Sequence, residues 1–169
     1  MLTLAAAVMA VPVDAKQRPR LSSEQRIATC IREAAGGRQW LEQTLWGFRD
    51  QEGGWIGAEI LNRDGSHDLG PLQVNSWWVS KLAMLVERPQ ASVRWWLTHD
   101  PCFNVQAARW IFLSRLRVAR DYWTAVGAYH SPTGWRQRRY AIATAAKIKR
   151  RFGASAFSQT LHGHPIRSR

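Results

Sequence analysis

Apolar residues recur at intervals of three and four along most of the chain, which predicts amphipathic helices. Ser22 followed three positions later by Gln25 has the form of a capping box. Ile27, Cys30, Ile31 and Ala34 then fall on one side of the helix it opens, and Gly36-Gly37 stops it. A second stripe runs through Trp40, Leu41, Leu45 and Phe48 and leads straight into Gln51-Glu52. The helical period is lost over residues 53–75, where Gly53-Gly54, Gly57, Asn62, Asp64-Gly65 and Gly70-Pro71 are turn signals. A small hairpin is expected around Asp64-Gly65. Helical patterning returns from about Ser76 to Glu87. Pro89 suits the first position of a short helix ending near Thr98. Asn104 is the expected cap of the next, which reaches about Val118; further helices cover about Asp121–Tyr129 and 135–151. The pattern is that of one mostly α domain, about residues 22–152, with an irregular or β-containing segment in its first half. Residues 153–169 read as a flexible C-terminal tail.

Composition narrows the class. The 169 residues are 46% hydrophobic and 21% charged, enough apolar material for a core. Ten tryptophans supply large amphipathic surfaces for a core, a groove, or both. The 24 basic residues outnumber 12 acidic ones, giving a formal charge of +12. Such a charge suits nucleic acid, but equally acidic wall polymers or membrane surfaces. Zinc-finger spacing, a Walker glycine loop and a dinucleotide fingerprint are all missing, so no specific nucleic-acid partner is predicted. The basic residues Arg136, Arg138, Arg139, Lys147, Lys149, Arg150 and Arg151 concentrate in the last predicted helix. They form a solvated face or a contact with an anionic surface.

Residues 1–13 are almost continuously apolar, interrupted by Thr3. The run is too short to span a bilayer comfortably and resembles the apolar part of a signal peptide, although a basic leading segment is missing. Val13-Asp14-Ala15 suits cleavage after Ala15, so residues 1–15 are expected to direct export to the periplasm. Two cysteines, Cys30 and Cys102, are compatible with one disulfide in an exported chain; two buried free thiols are equally compatible with the count.

Glu52 carries the sharpest chemical signal. A helix can hold its carboxyl rigidly while Gly53-Gly54 open space for a ligand. Downstream, Gln73 and Asn75 can present amides to sugar hydroxyl or acetamido groups, with Trp55, Trp77 and Trp78 near in sequence. Taken alone, the same residues also describe a helix-end acid followed by an ordinary turn.

The ordered set of motifs resembles the transglycosylase SLT domain family, particularly the short lytic transglycosylases of type IV secretion and conjugation systems. Glu52-Gly53-Gly54 matches the family's glutamate-serine-glycine helix end, with glycine at 53 in place of serine. Asn62, Asp68-Leu69-Gly70 and Gln73-Val74-Asn75-Ser76 follow in the family's order, as does Asp100-Pro101-Cys102-Phe103-Asn104-Val105. Ala125-Val126-Gly127-Ala128-Tyr129-His130-Ser131 looks like the family's alanine-tyrosine-asparagine-glycine motif, with His130 replacing asparagine. The resemblance covers about residues 26–150. It implies a lysozyme-like fold with a sugar-binding cleft, a Cys30–Cys102 bridge, and Glu52 as the sole catalytic carboxyl. It also implies that Asn62, Gln73, Asn75, Tyr129 and His130 contact the glycan, with the Tyr129 hydroxyl near Glu52. The implied reaction cleaves peptidoglycan between N-acetylmuramic acid and N-acetylglucosamine, leaves a 1,6-anhydromuramoyl end, and uses no metal and no organic cofactor. The implied setting is local wall opening for secretion or conjugation machinery. Two alternatives stand beside it: a lysozyme-like hydrolase using Asp64 or Asp68 as a second carboxylate, and a noncatalytic wall-binding or assembly module.

Overall fold

The computed structural model describes residues 21–157. The expected export segment and residues 158–169 lie outside the described residues. Ser22 caps α1 (Ser23–Ala35), and both bonds of its capping box with Gln25 form. α2 (Gln39–Glu52) follows after Gly36 closes α1 in the left-handed region. The irregular segment folds into a three-stranded antiparallel sheet: β1 (Glu59–Leu61), β2 (His67–Leu69) and β3 (Val74–Asn75), in that order. Ile60 pairs with Asp68, and Asp68 in turn with Asn75. The expected hairpin at Asp64-Gly65 is the β1–β2 turn; the third strand has too short a run to register in the pattern.

A single 3-10 turn, Ser76–Trp78, leads into α3 (Val79–Val86), so the first residues of that predicted helix are wound more tightly than an α-helix. α4 (Gln90–His99) begins one residue later than predicted, because Pro89 is its extended cap. α5 (Pro101–Ala119) corrects the expectation for Asn104. Asp100 is the cap, accepting from the Cys102 and Phe103 amides, and Pro101 takes the first helical position. Asn104 is instead fully buried one turn inside. α6 (Tyr122–His130) is capped by Asp121, and α7 (Gly134–Phe152) closes the bundle. The start of the expected tail is ordered as a 3-10 turn, Ala154–Phe157, with Ala156 buried.

The fold is mostly α and lysozyme-like, with the small sheet beside a cleft. α5 lies at the centre, packed by α1, α4 and α6. The Cys30–Cys102 disulfide fastens α1 to the start of α5 across 72 positions of chain. Leu41, Leu45 and Phe48 of α2 meet Ile111 and Phe112 in a fully buried core. α2 also lies close against α7. A Cβ at Gly47 would stand 2.6 Å from Ile148 Cγ1, so a side chain there forces the helices apart. That approach brings the end of α2, and with it Glu52, against α7.

Candidate active site

Glu52 is the last residue of α2. Gly53 follows at φ +63°, a left-handed cap that any side chain occupies only with strain. Gly54 is needed for a different reason: a Cβ there would lie 2.3 Å from the Gly70 carbonyl oxygen and 2.7 Å from Gln73 Nε2. The two glycines let the chain leave the acid and pass directly against the Gly70–Gln73 turn.

Buried polar bonds hold that turn. Asn104 Nδ2 donates to the carbonyls of Leu69 and Leu97, 2.8 Å each, and its Oδ1 accepts from the Leu72 amide at 2.9 Å. One side chain thus joins β2, the turn, α4 and α5. Tyr129 stacks flat on Phe48, centroids 4.1 Å apart, and donates its hydroxyl to the Leu72 carbonyl at 2.9 Å. Burial raises the Tyr129 phenol's pKa well above its ordinary value. It is a neutral strut for the turn that also feels the Glu52 charge; the resemblance implies only that its hydroxyl lies near Glu52.

The hydroxyl that meets the acid is that of Tyr140. It projects from α7 and donates a short hydrogen bond to Glu52 Oε1. Tyr140 is 5% exposed, and His130 lies flat on its ring with centroids 4.6 Å apart. Sequence reading missed Tyr140 because α7 drew attention to its arginines. The available signal was the stripe Tyr140, Thr144, Ile148, one buried residue per turn.

These surroundings decide the acid's ionisation. Burial pushes Glu52 from an ordinary 4.5 up to about 7; the Tyr140 hydrogen bond opposes this, and Asp68 repulsion adds to it. At neutral pH about half of such a carboxyl is protonated, roughly a hundredfold more than at its ordinary value. A group in this state can give a proton and then take one back.

Glu52 opens onto a cleft of about 910 Å³. Asn62, Gln73, Asn75, Tyr129 and His130 all line it, so the structure brings every sequence-predicted site residue together. Their polar atoms are partly engaged within the protein. Gln73, at φ 49°, donates to the Gly70 carbonyl at 2.8 Å. Asn75 donates to Ser66 Oγ at 2.9 Å and Asp68 Oδ1 at 3.0 Å, and accepts from the Trp77 amide. Asn62 donates to Ser66 Oγ at 3.1 Å. Asp64 folds back on Ser66 in the hairpin turn, which holds its carboxyl below the usual range. Of the two candidate second carboxylates, Asp68 is the one whose charge acts on Glu52. Burial lowers the His130 pKa, favouring the neutral imidazole.

Fold and site together define a lysozyme-like domain with one half-buried glutamic acid, its pKa raised to about 7, lining an aromatic and basic cleft. No family model matches the chain. Over 78 residues it is 36% identical to Invasion protein IagB of Salmonella typhimurium and to its namesake in Salmonella typhi. The matched stretch covers 46% of this chain and 45% of each relative, so the chain spans less than half the length of the curated relatives it matches.

Proposed function

We propose that this chain is a peptidoglycan lytic transglycosylase acting in the periplasm. The observation that carries the reading is Glu52: an acid held by α2 and Tyr140 in a cleft, with burial tuning it to exist in both protonation states. The partial likeness to IagB and the ordered motifs around Glu52 support the same reading. Glu52 protonates the glycosidic oxygen between N-acetylmuramic acid and N-acetylglucosamine as that bond breaks. The substrate's acetamido group stabilises the positive centre at the anomeric carbon. Glu52, now a carboxylate, removes the proton from the muramic acid C6 hydroxyl. That oxygen attacks the anomeric carbon and closes the 1,6-anhydro ring. One carboxyl serves both steps, and water is not consumed. Export by residues 1–15 and local wall opening for a secretion or conjugation machine belong to the same proposal.

Mass spectrometry of products from purified peptidoglycan tests it: anhydromuramoyl ends are expected. Glu52→Gln should fold, bind glycan and nearly abolish turnover; wild-type-like turnover by folded E52Q sinks the assignment. One observation favours a second reading. Asp68 lines the same cleft and acts on Glu52, as the partner carboxylate of a hydrolase would. Reducing ends in the products would select that reading.

A further inference from the structure

One wall of the cleft, which Asp64 and Asp68 also line, carries two cations, Lys81 of α3 and Arg115 of α5, beside Trp78. Trp78 and Trp110 pack edge to face, with centroids 5.9 Å apart. Lys81 Nζ lies 5.5 Å from the Trp78 centroid and 5.6 Å from that of Trp110. The Arg115 guanidinium lies 5.2 Å from the Trp78 centroid. Two cations therefore converge on one half-buried indole. Neither forms an ion pair among the described residues, and α3 and α5 contain no aspartate or glutamate at all. An indole face positions a cation through its quadrupole but leaves the net charge in place. Two like charges sharing a ring repel each other, and an anion lodged between them relieves that repulsion while gaining charge-assisted hydrogen bonds.

The geometry points to an anion-binding subsite, formed by Lys81 and Arg115 on the Trp78–Trp110 pair, that takes the free carboxylates of the peptide stems carried by the glycan. The inference rests on reading the cleft as a glycan site. The cations occupy the Trp78 ring that would otherwise stack on a bare sugar, so this wall selects for charge rather than for a neutral pyranose. In the intact polymer the muramic lactyl group is amide-linked to the peptide, which leaves the carboxylates on the stem. Cutting that amide removes the stem and places a carboxylate on the sugar's own lactyl group, so the two sources of charge can be separated.

Equilibrium binding is compared for the full chain and for K81Q/R115Q on three soluble ligands (stem-bearing strands, amidase-trimmed strands with free lactyl groups, and neutral N-acetylglucosamine oligomers), and turnover on the two that contain muramic acid. The double variant should weaken binding and raise KM about tenfold on stem-bearing strands, a scale set by two partly exposed charge contacts. It should leave kcat, and all behaviour toward neutral oligomers and trimmed strands, within about twofold. The charge-preserving K81R/R115K variant should keep the preference. An unchanged preference in K81Q/R115Q, or an equal loss on neutral oligomers, overturns the subsite. A loss on trimmed strands as large as on stem-bearing ones overturns its assignment to stems. Stem-selective binding without any cleavage would remove the lyase reading and leave the subsite standing; cleavage with no charge preference would do the reverse.

Discussion

Glu52 should make the protein less stable as pH rises, and Glu52→Gln should remove that penalty. The folded-state pKa of about 7 lies above the ordinary 4.5, so between those values the native protein binds a proton that the unfolded chain has released. Stability falls with pH wherever the native state holds more protons. The Glu52 contribution is therefore fully present below about pH 4.5, declines through the interval, and is lost above about pH 7. At about 1.36 kcal/mol per pKa unit, the whole shift corresponds to roughly 3 kcal/mol, of which about 2.5 kcal/mol falls between pH 5 and pH 8. Glutamine cannot ionise, and its amide oxygen can accept the Tyr140 hydroxyl as the carboxyl does. Urea unfolding of wild type and E52Q at both pH values isolates this one group, since the two proteins differ only there. The stability gain of E52Q should be about 2.5 kcal/mol larger at pH 8 than at pH 5, equivalent to about 10 °C in Tm. An equal difference at the two pH values would refute the claim that burial, acting on the carboxylate, raises this pKa.

Other perturbations bear on the same site. Tyr140→Phe removes the bond that holds and acidifies Glu52; turnover should fall about tenfold to a hundredfold, with the alkaline limb of the rate–pH profile moving to higher pH. Asp68→Asn removes a repulsion that raises the Glu52 pKa, so the same limb should move to lower pH while product ends stay anhydro. Asn104→Ala strands the Leu72 amide and the Leu69 and Leu97 carbonyls; urea unfolding should show a loss of about 3 kcal/mol or more.

Periodicity exposed the helices because their buried faces repeat every turn, and capping chemistry fixed the start of α1. The same signals misread Asn104. An asparagine just before an apolar stretch looks like a cap, yet Asp100-Pro101 four residues earlier is the stronger start, and the asparagine is the buried staple of the Gly70–Gln73 turn. Its three partners lie 7, 32 and 35 positions away, a relation no local window contains. As the acid's partner, Tyr140 was illegible for the same reason, although its buried stripe was not. It stands 88 positions from Glu52, and only the α2–α7 packing allowed by Gly47 brings them together. The motif residues were legible as a set, but not in their division of labour between holding the turn and facing the cleft.

That division bears on whether one carboxyl suffices. A hydrolase needs its second carboxylate free to attack the anomeric carbon or to hold a water against it. Asp68 pairs with Asn75 across the sheet, and one of its oxygens accepts the Asn75 amide. Asn75 is held in turn by Ser66 and by the Trp77 backbone amide. Asp68 thus belongs to a braced polar lattice in the sheet, where it acts through space by making Glu52 a weaker acid. A fixed negative charge in that place favours a protonated Glu52 before bond cleavage. In the proposed reaction it would also make the carboxylate formed afterwards a stronger base for the C6 hydroxyl. Both effects serve a reaction in which one group first gives a proton and then takes one, and neither requires Asp68 to touch substrate.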